Sequence, residues 1–198
     1  MLKKELRAIY REKRAALTPE EIIDLSDRIT FMLRQLLGKI EFQHVNCFLT
    51  NTEKKEVHTD GILQLLWQKG KEVSVPFSNY ATLEMQCAEM TAETVLENDS
   101  YGIPQPSSPY FGPAEKIDIV LVPLLCFDER GFRVGYGKGM YDRFLKKCNP
   151  QVITIGLSFF EEEDIITDCD QFDVPLHYVV TPRNIYTYAG VPLDALNK

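Results

Sequence analysis

Hydrophobic residues recur along the chain with two spacings, one typical of helices and one typical of extended strands. Leu2 and Leu6 begin a series of apolar residues at helical spacing, which predicts an amphipathic helix over residues 2–16 with a basic side. The sequence Thr-Pro-Glu-Glu at residues 18–21 predicts a second helix start, with threonine at the cap, proline at the first position and glutamate at the third. This second helix should end at Gly38.

Farther along the chain, short apolar runs alternate with helical segments. The runs lie at residues 45–50, 72–76, 117–122, 152–157 and 174–182. Because a helical segment over residues 59–70 separates the first two runs, the pattern predicts parallel strands covered by helices. The run at residues 117–122 is the most hydrophobic, which indicates a strand in the centre of the sheet.

Four further segments carry weaker signals. Residues 83–90 alternate apolar and polar side chains, as in an antiparallel or edge strand. Residues 101–113 contain four prolines and predict a stiff, irregular loop. Residues 161–164 are acidic, which is typical of a helix start or a solvated face, and the tail after Arg183 has no clear pattern.

One glycine-rich stretch is the strongest sign of a binding site. It covers residues 122–144, reads VPLLCFDERGFRVGYGKGMYDRF, and joins the central strand to a short segment of helix-forming composition. Its loop contains Gly135, Gly137, Lys138 and Gly139. Glycines let backbone N–H groups approach phosphate oxygens, and a helix N-terminus adds a partial positive charge. The stretch is neither the dinucleotide fingerprint nor the P-loop, so it predicts an anion pocket with a plain flexible turn as the alternative.

Composition and net charge limit the classes of binding partner that the sequence predicts. The chain has 198 residues, 44% of them hydrophobic, which predicts a single domain over residues 1–198 with a sizeable core. A formal net charge of −7 argues against a general nucleic-acid or membrane-surface binder, although a local basic pocket can still hold a phosphate. We therefore expect a monomer that binds small molecules, with no nucleic-acid or membrane partner.

The cysteines and the N-terminal sequence indicate the cellular compartment in which the protein is expected. The five cysteines are widely spaced without a C-x-x-C pair, and the three histidines form no cluster, so neither a disulfide framework nor a zinc site is expected. Most of the cysteines are interpreted as buried free thiols. The N-terminus lacks the apolar core of a signal peptide, and no apolar run approaches the roughly 20 residues that span a bilayer. We expect a cytoplasmic protein.

The glycine-rich stretch resembles the signature of the 5-formyltetrahydrofolate cyclo-ligase family. Weaker matches follow in order along nearly the whole chain: K-x-x-L-R from residue 3, F-L-T from 48, E-V-H-T from 56, VPF from 75, G-I-P-Q-P from 102, F-D-V-P from 172 and V-V-T from 179. The resemblance implies an α/β/α sandwich with a mostly parallel central sheet, like that of sugar-phosphate isomerases and acyl-CoA transferases. It also implies an enzyme that uses ATP and Mg²⁺ to close 5-formyltetrahydrofolate into 5,10-methenyltetrahydrofolate, by phosphorylation of the formyl oxygen followed by attack of N10.

The resemblance further implies roles for individual residues. Three match catalytic positions, namely Lys138, Arg133 and Tyr141. The positions that match ATP contacts are Lys3, Arg7, Arg133, Val134, Gly135, Tyr136, Gly137, Lys138, Gly139, Met140 and Tyr141. Those that match folate contacts are Leu49, Glu56, Tyr136, Met140 and Tyr141, and those that match Mg²⁺ ligands are Asp142 and Asp173.

Three features depart from the family pattern. Met140 replaces a tyrosine, the loop before Glu56 is longer than usual, and His177 replaces an acidic residue and is expected to be structural. Two other readings stay open, because a fold does not fix a function. One is a sugar-phosphate isomerase or an acyl-CoA transferase on the same scaffold, the latter with Glu129 as nucleophile. The other is a non-catalytic folate- or nucleotide-binding protein.

Overall fold

Helices and short strands alternate along the part of the chain that the computed structural model describes, residues 1–188 and residue 190. The helices are α1 (Lys3–Ala15), α2 (Pro19–Leu37), α3 (Asp60–Gln68) and α4 (Met140–Leu145). The strands are β1 (His44–Asn46), β2 (Glu72–Asn79), β3 (Glu84–Glu89), β4 (Leu96–Asn98), β5 (Pro104–Pro106), β6 (Phe111–Gly112), β7 (Ile119–Pro123), β8 (Cys126–Phe127), β9 (Arg133–Val134), β10 (Ile153–Leu157), β11 (Tyr178–Val180) and β12 (Ile185–Thr187). The predicted patternless tail lies partly outside the described residues.

One sheet of eight strands organises the fold, in the order β12-β11-β10-β7-β1-β2-β3-β6. The five strands from β11 to β2 run parallel, and β12, β3 and β6 pair antiparallel at the two sides. Strand β7 therefore lies inside the sheet, as its hydrophobicity predicts. The large, mostly parallel sheet confirms the predicted α/β class.

The side chains of β7 divide the core between the two faces of the sheet, because successive residues of a strand point to opposite sides. Ile119 and Leu121 join a cluster with α2 and α3, whereas Val120 and Val122 join a cluster with α4. All four side chains are fully buried. Helices thus cover both faces of the sheet, which gives three layers.

The first two helices follow their sequence signals. At the start of α2, the Glu21 N–H donates to Thr18 Oγ1 at 3.2 Å, and the Thr18 N–H donates to the Glu21 carboxylate at 2.8 Å, which is the predicted capping box. Helix α1 buries Leu6 and Tyr10 against the β8–β9 hairpin, in a cluster with Cys126. This packing leaves the basic side of α1 beside the loop that follows β9.

The β8–β9 hairpin stands between the central strand and the glycine loop, where the sequence predicts only a loop. The fully buried carboxylate of Asp128 closes its turn by accepting hydrogen bonds from the N–H groups of Arg130 and Phe132, both at 3.0 Å. It also accepts one from the Ile166 N–H at 3.0 Å. Strands of two residues carry no alternation that a sequence pattern could reveal.

Several strand predictions need correction because pairing overrides local pattern. Strand β1 is shorter than the predicted run at residues 45–50, and β2 is longer than predicted because β3 pairs with it as far as Asn79. Residues 101–113 are not wholly irregular, since β5 pairs with β4 and β6 extends the sheet beyond β3. Strand β3 is antiparallel, as predicted, but β6 removes it from the edge.

The end of the described chain is more ordered than its sequence predicts. Glu161, in the acidic run, accepts hydrogen bonds from Thr181 at 3.0 Å, Asn184 at 2.9 Å and Tyr186 at 2.7 Å. Burial acts to raise the pKa of Glu161, but these hydrogen bonds outweigh it and lower that pKa. Glu161 therefore anchors β12 against the end of β11, and the run starts no helix.

His177 is held by hydrogen bonds within the sheet, and most of the cysteine side chains are buried. The backbone N–H of Thr154 donates to His177 Nδ1 at 3.0 Å, and the His177 N–H donates to Thr154 Oγ1 at 3.0 Å. Burial lowers the pKa of His177. Four of the five cysteines are buried, and Cys169 is partly exposed. Within residues 1–188 and 190, no helix combines the length and the apolar character needed to cross a membrane.

Candidate active site

A cavity of about 360 Å³ opens at one end of the parallel strands. Pro123 at the end of β7, Leu49 shortly after β1 and Ser78 in β2 lie in its wall, and the loop after β9 and the start of α4 complete it. Ligands in open α/β folds bind outside the carboxyl ends of the strands. The cavity therefore lies where this architecture carries ligands.

All but one of the predicted site residues line this cavity. They are Lys3, Arg7, Leu49, Glu56, Arg133, Gly135, Tyr136, Gly137, Lys138, Gly139, Met140, Tyr141, Asp142 and Asp173. Val134 is the exception, because its side chain is fully buried in the cluster between α1 and the hairpin. Its carbonyl is also engaged, accepting a hydrogen bond from the Leu125 N–H at 2.8 Å. The chemical roles of the fourteen lining residues remain predictions.

The glycine loop is shaped to lie close beneath α1. Gly137 and Gly139 have φ angles of 91° and 60°, in the left-handed region that favours glycine. A Cβ added at Gly137 would lie 3.2 Å from the guanidinium carbon of Arg7, and Arg7 Nε donates to the Gly135 carbonyl at 2.9 Å. A cation thus closes directly over exposed loop backbone, an arrangement that suits a phosphate group.

Two carboxylates reach the cavity from different elements, and each is already bound through one oxygen. Asp142 Oδ1 accepts from Arg133 Nη2 at 2.7 Å and from the Val174 N–H at 3.1 Å. Asp173 Oδ2 pairs with Lys3 and accepts from the Asp170 N–H. Among the described residues, Asp142 Oδ2 and Asp173 Oδ1 accept no hydrogen bond.

Asp142 Oδ2 and Asp173 Oδ1 limit the kind of metal site that these residues could form. No group of three or more histidine, cysteine or acidic side chains gathers within the described part of the chain. Two carboxylate oxygens alone cannot complete an octahedron, but Mg²⁺ is usually held by one or two carboxylates together with substrate phosphates and water. A Mg²⁺ site built on these two side chains would therefore need substrate phosphates and water to complete its coordination.

Glu56 lies in the wall of the cavity with 6% of its surface exposed. The Asn51 N–H donates to Glu56 Oε2 at 3.0 Å, and the Tyr136 hydroxyl donates to Oε1. The Lys54 N–H donates to Asn51 Oδ1 at 3.0 Å, so the long loop folds into a turn that returns Glu56 to the cavity. Burial, together with the Glu56 charge, raises the pKa of Tyr136 and keeps its hydroxyl a donor.

The structure adds an aromatic pair that the predicted site lacks. The rings of Tyr80 and Tyr101 have centroids 4.2 Å apart, and Lys138 Nζ lies 4.6 Å and 4.8 Å from them. Burial, reinforced by Asp99, raises the pKa of Tyr80 to about 12. Tyr101 directly precedes the G-I-P-Q-P match, a signal that could have identified it, but Tyr80 lies in the β2–β3 turn without any sequence signal.

Glu129, the nucleophile required by the transferase reading, lies elsewhere. It is exposed at the turn of the β8–β9 hairpin and does not line the cavity. A nucleophile must reach the bound substrate, so the geometry gives no support to acyl transfer through Glu129.

Comparisons with known proteins extend the resemblance over nearly the whole chain. The model of the 5-formyltetrahydrofolate cyclo-ligase family matches residues 1–182. The chain is 25% identical over 188 residues to the 5-formyltetrahydrofolate cyclo-ligase of Escherichia coli (strain K12), covering 91% of this chain and 100% of that protein.

Two solved structures share the fold. The NMR structure of Aquifex aeolicus 5,10-methenyltetrahydrofolate synthetase has a TM-score of 0.80 at 28% identity, covering 96% of this chain and 94% of that one. A 5,10-methenyltetrahydrofolate synthetase from Mycoplasma pneumoniae has a TM-score of 0.75 at 25% identity, covering 92% of this chain and 100% of that one.

Proposed function

The chain belongs to the 5-formyltetrahydrofolate cyclo-ligase family, and from this premise we propose that it converts 5-formyltetrahydrofolate and ATP into 5,10-methenyltetrahydrofolate, ADP and phosphate. One observation supports this proposal independently of the family membership. A single cavity brings the glycine loop and its cations together with the buried carboxylate of Glu56. Such a cavity can hold a phosphate donor and a folate side by side.

The chemistry requires activation of a poor leaving group. The formyl oxygen of the substrate is amide-like, and its attack on the γ-phosphate of ATP forms a C–O–P linkage while ADP leaves. N10 then attacks the formyl carbon, loses its proton, and the C–O bond breaks as phosphate departs. These steps need no protein nucleophile, so positioning and charge neutralisation dominate the catalysis.

The phosphate side of the cavity consists of cations and exposed backbone. We assign ATP binding to Lys3, Arg7 and the glycine loop, with Arg133 and Lys138 beside the transferred phosphoryl group. Arg7 contacts the loop and Lys138 rests over two aromatic rings. A guanidinium can hold two phosphate oxygens at once, whereas a lysine acts as a movable point charge.

The folate side consists of Glu56, Leu49 and the aromatic residues near them. A carboxylate accepts hydrogen bonds, and the pterin ring offers an amino group and ring N–H groups as donors. Tyr136 and Tyr141 supply aromatic surface, and Met140 packs a polarisable sulfur where the family has tyrosine. Burial, with the Glu56 charge adding to it, raises the pKa of Tyr141 well above its ordinary value.

Asp142 and Asp173 would hold Mg²⁺ through the oxygens that accept no hydrogen bond within the described chain. The ion supplies neutralisation of triphosphate charge when it is bound. Lys3 and Arg133 stand beside these carboxylates and would share the same phosphates. The proposal treats residues 1–198 as one domain, acting as a cytoplasmic monomer on small molecules only.

A turnover assay tests the proposal and separates it from its alternatives. Purified protein with 5-formyltetrahydrofolate, ATP and Mg²⁺ should produce the methenyl chromophore in the near ultraviolet, and omission of ATP should abolish it. A sugar-phosphate isomerase needs no ATP, and a non-catalytic protein would bind the folate without turnover. Folded protein that gives no chromophore beside a working cyclo-ligase would exclude the proposed activity.

A further inference from the structure

Arg14 is a buried cation that none of the assigned roles uses. It lies near the end of α1, on the same face as Lys3 and Arg7, and only 4% of its surface is exposed. Arginine is rarely buried this deeply unless its guanidinium is paired. Within residues 1–188 and 190, no carboxylate forms a direct ion pair with it.

The guanidinium is instead joined to Glu56 through one hydroxyl group. Arg14 Nη1 donates to the Tyr136 hydroxyl oxygen at 2.9 Å, and the Tyr136 hydroxyl donates to Glu56 Oε1. Arg14 Nη2 donates to the Leu124 carbonyl, which fixes the guanidinium to the end of the central strand. Because a guanidinium can only donate, the single hydroxyl proton of Tyr136 is left for Glu56.

Tyr136 is half-buried, so packing encloses only part of its side chain. Tyr136 lines the main cavity and also a second cavity of about 260 Å³, which Arg11 and Lys54 line as well. Lys54 Nζ lies 4.6 Å from the ring centroid. The cation contact and the two hydrogen bonds of the hydroxyl group therefore help to fix the position of the ring.

We propose that Arg14 is a positioning residue for the folate, acting through Tyr136 to orient the Glu56 carboxylate. Tyr136 and the Asn51 N–H each take one acceptor site of the carboxylate, on different oxygens. A carboxylate has about four such sites, so each oxygen keeps one for the pterin donors. Without Arg14, the hydroxyl and the carboxylate lose their fixed orientation, and folate binding weakens. This inference rests on the proposed function.

Binding of 5-formyltetrahydrofolate without ATP measures this effect apart from turnover. The variants are Arg14→Met, Tyr136→Phe and the two combined, with Lys4→Met, at an exposed position of the same helix that lines neither cavity, as the control. Loss of a hydrogen bond to a charged group should weaken folate binding about tenfold in each single variant. The double variant should be little weaker than the worse single one, because both cut one chain of bonds. Lys4→Met should bind folate as the wild type does.

The KM for ATP separates a positioning role from a merely structural one, because general damage to the fold would weaken ATP binding as well as folate binding. Arg14→Met should leave that KM unchanged while the dissociation constant for folate rises. Equal weakening of folate and ATP, an additive double variant, or unchanged folate binding in Arg14→Met would each overturn the positioning role. If Arg14→Met does not fold, the comparison is made with Arg14→Lys, which keeps the charge but replaces the planar guanidinium fork by a single nitrogen. This variant should lose folate affinity in a wild-type background but not in a Tyr136→Phe background.

Failure of the two proposals is distinguishable. A wild-type protein that yields no methenyl product contradicts the cyclo-ligase function, whatever the variants do. A wild-type protein that turns over, with an Arg14→Met variant that binds folate normally, contradicts the positioning role alone.

Discussion

Asp128 and Glu56 are two buried carboxylates with opposite surroundings. Asp128 is fully buried, and its oxygens accept five hydrogen bonds, from the N–H groups of Arg130, Phe132 and Ile166 and from two nitrogens of the Arg130 side chain. Glu56 is nearly as buried and lines the cavity, but within the described part of the chain it accepts only two, from Asn51 and Tyr136. The first carboxylate is saturated by its own chain, whereas the second has acceptor capacity to spare.

The difference shows that burial of a charge does not by itself mark a functional site. Asp128 belongs to the most informative stretch of the sequence, yet its hydrogen bonds close a hairpin and hold Ile166 against it. Glu56 comes from a polar loop with no strong motif of its own. What separates them is unused hydrogen-bonding capacity facing a cavity, which only the fold reveals.

The largest effect should come from breaking the saturated carboxylate. Asp128→Ala leaves three buried or half-buried N–H groups without their acceptor, and we expect the free energy of unfolding to fall by about 3 kcal/mol or more. Urea denaturation measures it, with Glu129→Ala, at the exposed neighbouring position, expected to change it by less than about 0.5 kcal/mol. A stable Asp128→Ala protein that has lost turnover would reverse the roles assigned to the two regions.

A substitution in the cavity should have the opposite pattern, with a large loss of activity and little change in stability. Lys138→Met removes a cation from the proposed phosphate site, and we expect kcat/KM to fall about 100-fold. The free energy of unfolding should change by less than about 0.5 kcal/mol, because the side chain is exposed. Steady-state kinetics measures the loss, and Lys146→Met, at an exposed position directly after α4 and outside the cavity lining, is the control with wild-type rates. Near-normal turnover in Lys138→Met would remove this lysine from the chemistry.

A smaller effect should distinguish strain from function at two glycines. Gly137→Ala and Gly70→Ala both place a side chain at a positive φ, 91° and 66°, and each should lower stability by about 1 kcal/mol. Only the Cβ at Gly137 meets the Arg7 guanidinium, at 3.2 Å, while that at Gly70 meets nothing within 4 Å. We expect kcat/KM to fall about tenfold in Gly137→Ala alone. Equal kinetics in the two variants would show that the close approach of Arg7 is unimportant.

The last prediction concerns the pH dependence of stability and two histidines outside both regions. Burial lowers the pKa of His44 and of His177 below their ordinary value of 6.5. As pH falls through 6.5, the unfolded chain binds protons that the folded chain does not, so stability decreases, by at most about 1.4 kcal/mol per pH unit for each histidine. Denaturation curves between pH 7.5 and about 5.5 should show this decline, and His177→Asn should reduce its slope. A stability that rises on acidification would contradict the assignment.

Sequence reasoning predicted most of the fold and most of the residues that line the cavity, because their sequence signals are local or long. The Thr18 capping box, the apolar strand β7 and the glycine loop each follow from a few adjacent residues. The β8–β9 hairpin and strand β12 do not, since they depend on pairing and on distant anchors such as Asp128 and Glu161. Tyr80 and Arg14 were equally hidden, because their roles arise from contacts between residues far apart in the sequence.

Transfer of the formyl oxygen tests the central claim most directly, namely that one cavity joins a phosphoryl donor to a folate. The substrate is 5-formyltetrahydrofolate labelled with ¹⁸O in the formyl group, incubated with ATP and Mg²⁺, and the released phosphate is examined by mass spectrometry. Phosphorylation of the formyl oxygen predicts one ¹⁸O atom in the inorganic phosphate for each methenyl product formed. Unlabelled phosphate, with the label in water, would contradict the account.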